Sequence, residues 1–161
     1  MFLIPIGTDA PVYHFPWGTI GLIALCTLVV LGSTLALLPS TESLAADYAL
    51  LHGQGLHPLQ WVTSNFLHAG WGHLIGNMMF LWPFGLIVEG KIGWRRFLPI
   101  YLGLGILEAA LEQICLPGPG MSLGASSIIF GLMAMSCLWA PRNDIEMAYG
   151  LGLPMLVRFD T

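Results

Sequence analysis

The segment Ser122-Leu123-Gly124-Ala125-Ser126-Ser127-Ile128-Ile129-Phe130-Gly131 places two adjacent serines at the start of an apolar run that continues to Ala140. The stretch before it, residues 117–120, alternates proline and glycine. Such residues favour a loop, and a serine at a helix start commonly caps the free backbone N–H groups of the first turn. The segment therefore predicts a loop that leads into an apolar helix, with Ser126 either as a cap or as a nucleophile.

The overall composition is typical of a membrane protein. Charged residues make up 9% of the 161 positions and hydrophobic residues 56%, and the mean hydropathy is +0.77. Soluble domains carry about 25% charged residues. No basic cluster suggests binding to nucleic acid, so the expected surroundings are membrane lipid and other membrane proteins.

Long uncharged runs predict an all-α bundle of membrane-spanning helices. Residues 17–38 contain no charge over 22 positions, which is about 33 Å of helix and enough to cross a hydrocarbon core of about 30 Å. The other apolar runs predict three further spans and the start of a fifth, at about 73–88, 97–114, 126–140 and from near 147. Residues 1–16 are expected to be an irregular lead, and 17–161 to be one membrane domain.

The basic residues predict the orientation of this bundle. Lys91, Arg95 and Arg96 lie between the second and third spans, and Arg142 follows the fourth. Loops rich in Lys and Arg stay in the cytoplasm. The N-terminus is thus expected in the cytoplasm of a multi-pass plasma-membrane protein, and the loop at 39–72 is expected on the outer side, partly in the membrane interface.

Three polar side chains are then expected at the same outer level of the membrane. His73 and Asn77 are four residues apart and share one helix face, and Ser126 begins another helix, where backbone N–H groups are free. A hydroxyl beside several hydrogen-bond donors suits acyl transfer, in which the donors stabilise an oxyanion. Gly124 and Ala125 would leave room for a substrate backbone. The alternative is structural, because small residues in membrane helices commonly serve helix packing.

Other polar groups suggest weaker possibilities. Glu108 and Glu112 are also four residues apart, inside the third span. Membrane carboxylates occur in ion or proton paths, but no polar residues continue such a path, so we expect both to hydrogen-bond the outer loop or a neighbouring helix. The three cysteines and the histidines show no metal-ligand spacing, and no cofactor is expected.

Two of these segments resemble the rhomboid family of intramembrane serine proteases. The run from Thr63 to Met78, with His68, His73 and Asn77, resembles that family's outer-loop and second-helix signature, and Gly124 to Met133 resembles its nucleophile motif. The resemblance implies that Ser126 is the nucleophile. His73, Asn77 and the backbone N–H of Ser126 would bind the oxyanion, and the substrates would be transmembrane helices cut near the outer face.

The chain departs from the family pattern in ways that leave a second function open. Ser127 stands where the family usually has glycine, and Leu59-Gln60 stands where many members have Trp-Arg. The family's general base is a histidine on the sixth membrane helix, and no histidine follows Ser126 here. We expect a partial rhomboid domain that lacks its final helices. The alternative is a catalytically inactive rhomboid-like protein that binds client membrane helices.

Overall fold

A computed structural model describes residues 3–116, 118–141, 145–149 and 153–157. These residues form six α-helices, five short strands and a 3₁₀ turn at Ser64–Phe66. The helices are α1 Trp17–Thr34, α2 Thr41–Tyr48, α3 Pro58–Thr63, α4 Trp71–Ile92, α5 Trp94–Cys115 and α6 Ser126–Trp139. The strands are β1 Leu3–Thr8, β2 Leu50–His52, β3 Gly120–Ser122, β4 Ile145–Tyr149 and β5 Leu153–Val157.

The prediction of a polytopic helical bundle is confirmed. Among the described residues, α1, α4 and α5 are long and apolar enough to cross a membrane, and α6 is a shorter apolar helix. The 14 residues of α6 span about 21 Å, less than a hydrocarbon core of about 30 Å. If Trp139 lies at one membrane interface, Ser126 at the other end of α6 lies below the opposite surface.

Helix α4 is the centre of the bundle, and it packs against α1, α5 and α6. Glycines let the neighbouring helices approach closely. A Cβ on Gly85 would lie 2.7 Å from Thr19 Cγ2 of α1, and one on Gly131 would lie 3.0 Å from Leu104 Cδ1 of α5. Gly131 thus serves the close helix packing that is common for small residues in membrane helices. The core buries Leu81, Phe97, Tyr101, Ile128 and Leu132.

The inner end of the bundle, by the predicted orientation, is held by charged side chains that bind helix termini. The Glu89 carboxylate accepts hydrogen bonds from the backbone N–H groups of Gly18 and Thr19, each at 2.7 Å. Lys91 Nζ donates to the carbonyl oxygen of Trp139, at 3.0 Å. A carboxylate is favourable at a helix N-terminus and an ammonium at a C-terminus, so α4 fixes the ends of both α1 and α6.

Two expectations near the chain ends differ from the structure. Instead of an irregular lead and the start of a fifth helix, β1, β4 and β5 form an antiparallel sheet, in which Leu3 pairs with Tyr149 and Ile145 with Val157. Residues 145–149 and 153–157 form strands for two reasons, the local sequence and the pairing with neighbouring strands. The glycines at 150 and 152 and Pro154 disfavour a helix, and the backbone of β4 finds hydrogen-bond partners in β1. Arg142 lies outside the described residues.

The outer loop, residues 39–70, is a structured segment. It contains α2, β2 and α3, and β2 pairs with β3. The Gln113 side chain at the end of α5 holds this loop in place. Its Oε1 accepts hydrogen bonds from His57 N and Trp61 Nε1, and its Nε2 donates to Leu51 O.

Candidate active site

Ser126 is the first residue of α6, but its side chain does not cap that helix. Its Oγ donates instead to Asn77 Oδ1 of α4, at 3.2 Å. The hydroxyl is therefore not a helix cap. It is turned toward a polar residue of another helix, as the nucleophile hypothesis requires. Ala125, the preceding residue, is fully buried in the core. It therefore packs inward, and the expectation that Ala125 leaves room for a substrate beside the hydroxyl is wrong.

Gly124 packs against two residues of α4, His73 and Asn77. Its φ of +109° lies in a region that L side chains rarely adopt. A Cβ there would lie 2.8 Å from His73 Cε1 and 3.1 Å from Asn77 Nδ2. The Gly124 N–H donates to Ser64 O at 2.9 Å, which anchors the loop to the 3₁₀ turn. Only glycine fits both the backbone conformation and this close approach.

His73 and Asn77 direct hydrogen-bond donors to the space beside Ser126. The Ala69 N–H donates to His73 Nδ1 at 3.4 Å, so in the neutral ring the hydrogen is on Nε2. That Nε2 lies 3.0 Å from the position of a Gly124 Cβ. Asn77 is 8% exposed, and its Nδ2 has no hydrogen-bond partner among the described residues. Both donors are available to an acceptor placed near Ser126.

His68 lies behind His73 rather than beside Ser126. The two rings pack edge to face, with centroids 5.3 Å apart, and His68 lines neither of the cavities that reach Ser126. Burial, together with the nearby His73, lowers the pKa of His68 to about 4. The buried ring is therefore neutral at physiological pH. Stability should fall as the pH drops below about 6.5, because the unfolded chain then binds a proton that the folded chain does not.

Two cavities meet at Ser126. One, of about 580 Å³, lies under the outer loop, and polar residues that include His73, Glu108, Glu112 and Ser127 line it. The other, of about 340 Å³, is an apolar cleft between α4 and α6, lined by Phe80, Phe84, Ile129, Phe130 and Met133 beside His73 and Asn77. The Ser126 side chain therefore borders both the polar cavity and the apolar cleft.

The sequence did not indicate what positions the loop that carries Gly124. Ser122 Oγ donates to Glu112 Oε1 at 2.6 Å, and His52 Nε2 lies 3.3 Å from the same oxygen. Glu112 thus lies at ion-pair distance from His52 of the outer loop, but its hydrogen bond is to Ser122 and not to that loop. The carbonyl of Ser64 carried no sequence signal. Among the described residues, no three His, Cys, Asp or Glu side chains come together as metal ligands do.

Comparison with known proteins gives a consistent result. A family model described as Rhomboid domain matches residues 56–159. The chain is 40% identical over 92 residues to Rhomboid-like protein 11, chloroplastic, of Arabidopsis thaliana (55% of this chain, 33% of that protein). It is 42% identical over 96 residues to Rhomboid protease GluP of Bacillus subtilis (60% and 18%). It is 32% identical over 95 residues to Rhomboid-type serine protease 2 of Emericella nidulans (54% and 19%). The chain spans a third or less of the length of these relatives.

Proposed function

Because this chain belongs to the rhomboid family, we propose that it carries the nucleophile and oxyanion site of an intramembrane serine endopeptidase. Ser126 attacks a peptide carbonyl, and His73 and Asn77 stabilise the oxyanion. The observation that carries the proposal is the convergence on one space of the Ser126 hydroxyl, the Nε2 of His73 and the free Nδ2 of Asn77. Similarity to Rhomboid protease GluP and to Rhomboid-type serine protease 2 supports the same class of reaction.

The reaction follows the usual course of acyl transfer by serine. Ser126 Oγ forms a bond to the carbonyl carbon, and its proton passes to a general base, which family resemblance implies is a histidine outside these 161 residues. The carbonyl oxygen becomes an oxyanion that accepts hydrogen bonds from His73 Nε2, Asn77 Nδ2 and the Ser126 N–H at the start of α6. The C–N bond then breaks, the amine takes the proton, and water hydrolyses the acyl-enzyme.

The substrate of this reaction is a transmembrane segment that unwinds near its outer end. In an intact helix the peptide carbonyl is hydrogen-bonded and shielded. The apolar cleft of α4 and α6 is suited to a membrane helix, and the polar cavity under the loop is suited to an unwound peptide. The 14-residue length of α6 supports a hydroxyl below the membrane surface, where such a segment passes from lipid to water.

The proposed orientation has the N-terminus in the cytoplasm of a plasma-membrane protein. All the described Lys and Arg residues, Lys91, Arg95 and Arg96, lie where α4 passes into α5, at the opposite end of α4 from His73. The outer loop contains none. This asymmetry supports an active site that faces the outer side.

A serine-directed fluorophosphonate probe tests the nucleophile. The complete natural protein, reconstituted in liposomes, should be labelled, and peptide mass mapping should place the label on Ser126 rather than on Ser127. Ser126→Ala should remove labelling. Ser136→Ala should keep it, because that hydroxyl only bonds the Leu132 carbonyl within α6. A protein that binds client helices but takes no label would be a catalytically inactive rhomboid-like protein, and the proposal would be wrong.

Asn77→Ala is expected to slow cleavage of a reporter transmembrane segment by about 10²-fold, the usual cost of one oxyanion donor. The loss should fall on kcat, because the oxyanion forms only in the transition state. Cleavage kinetics at several reporter densities in liposomes measure it. Gln54→Ala is the control, since that side-chain amide is exposed in the outer loop and lines neither cavity. A change confined to KM would exclude Asn77 as an oxyanion donor.

A further inference from the structure

The stretch of chain that carries Ser126 is attached to α5 by a hydrogen bond to one carboxylate. We call residues 122–126 the nucleophile segment; they run from the end of β3 to the first residue of α6. Ser122 Oγ donates to Glu112 Oε1 of α5 at 2.6 Å, the short distance typical of a hydroxyl that donates to a carboxylate. The position of Ser126 therefore depends on a side chain that does not touch the reacting atoms.

A histidine of the outer loop lies against the same carboxylate oxygen. His52 Nε2 is 3.3 Å from Glu112 Oε1. The residue is 8% exposed, and Nε2 has no hydrogen-bond partner among the described residues. The pairing of β2 with β3 holds the ring there, because His52 lies opposite Gly120, where a Cβ would be 3.0 Å from His52 Nδ1. A protonated ring in this place forms an ion pair with Glu112 that is only partly screened by water.

The ionisable groups around His52 all come from α5. Strand β2 packs against α5, β3 and α3, and the sequences of α3 and β3 contain no ionisable side chain. Helix α5 contributes Glu112 and also Glu108, which interacts with His52, with Glu112 and with the Ser127 hydroxyl of α6. Among the described residues, His52 thus faces two carboxylates and no cation. Its proton converts a polar contact into an ion pair.

We propose that His52 and Glu112 are positioning residues that hold the nucleophile segment in its working geometry when the His52 ring carries a proton. The inference rests on the proposed function, in which Ser126 attacks the scissile bond. The protonated ring keeps Glu112 Oε1 directed to Ser122. Without that proton Glu112 loses its partner, and repulsion from Glu108 turns it away. A displacement of about 1 Å at a reacting group can cost about 10²-fold in rate.

The pH dependence of cleavage tests this inference. The complete natural protein and His52→Gln are compared in liposomes with a reporter transmembrane segment at about pH 5.5 and about pH 8.5, the two sides of the range in which histidine ordinarily changes charge. At the acidic pH, His52→Gln should lower kcat by about 10-fold with little change in KM, because the substrate still binds but the hydroxyl is displaced. At the alkaline pH the two proteins should cleave at similar rates. The ratio of the two rates is used because the general base affects both proteins equally.

Two further variants show whether the ion pair causes this change. His57→Gln makes the same substitution in the same loop, but the His57 ring contacts Gln54 O and lines neither cavity. It should follow the natural protein at both pH values. Glu112→Gln keeps an oxygen for Ser122 but cannot form the ion pair, so it should reproduce the kinetics of His52→Gln, and the double variant should lose no more than either single variant. A rate ratio that is the same at both pH values overturns the inference, because a merely structural role of His52 gives that result.

Hydrogen exchange separates this inference from the proposed function because it needs no cleavage. At the acidic pH, the backbone amides of the nucleophile segment should exchange about 10-fold faster in His52→Gln than in His57→Gln, and at the alkaline pH the two should agree. This result supports the positioning role even if the natural protein cleaves nothing, in which case the proposed function alone is wrong. Equal exchange at the acidic pH overturns the positioning role while the protease function stands.

Discussion

Replacing Ser126 with alanine is expected to reduce cleavage of a reporter transmembrane segment by at least about 10³-fold. In the proposed mechanism, the substitution removes the atom that forms a bond to the substrate. His73 Nε2 and Asn77 Nδ2 remain, but oxyanion donors without a nucleophile leave attack to water. The loss should appear in kcat, measured by the rate of product formation in liposomes that contain saturating reporter.

Two observations make this result interpretable. Ser136→Ala changes the same residue type in the same helix, and its hydroxyl bonds only the carbonyl of its own helix, so its cleavage rate should stay within about two-fold. The Ser126→Ala protein should lose no more than about 1 kcal/mol of unfolding free energy, because only one hydrogen bond, at 3.2 Å, is removed. Residual cleavage near the natural rate would mean that another group is the nucleophile.

Replacing Glu89 with alanine is expected to lower the free energy of unfolding by about 3 kcal/mol or more. The Glu89 side chain is fully buried. It accepts three hydrogen bonds of 2.7 Å, from Gly18 N, Thr19 N and Thr19 Oγ1. Without the carboxylate, two N–H groups at the start of α1 are buried with no acceptor, and water cannot replace it easily in this packed interface.

Denaturation in mixed detergent micelles, followed by loss of helical structure, measures this change. Glu42→Ala, which removes an exposed carboxylate from the first turn of α2, should cost no more than about 1 kcal/mol. Glu89→Gln keeps one acceptor oxygen, so its loss of unfolding free energy should lie between those of Glu89→Ala and Glu42→Ala. If Glu89→Ala and Glu42→Ala unfold at the same denaturant concentration, the contact of the Glu89 carboxylate of α4 with the start of α1 does not contribute to stability.

Several features of this fold could be predicted from local sequence because their causes are local. Long uncharged runs must be helical in a membrane, since every backbone group needs an internal partner there. The start of α6 at Ser126 was found in this way, and the four-residue spacing of His73 and Asn77 placed both on one face of α4. Residues 145–157 gave the wrong prediction because an apolar run alone does not separate a helix from a paired strand.

The sequence by itself thus determined the membrane class of this protein, its four longest apolar helices and the set of polar residues at one level of the bundle. Only the tertiary structure decided how those residues meet. It turned the Ser126 hydroxyl to Asn77, 49 positions away, brought Gly124 against His73, and directed two carboxylates of α5 into the cavity beside the nucleophile. The reason is that such contacts depend on which helix faces pack together, and that choice is made by the shapes of side chains distant in the sequence.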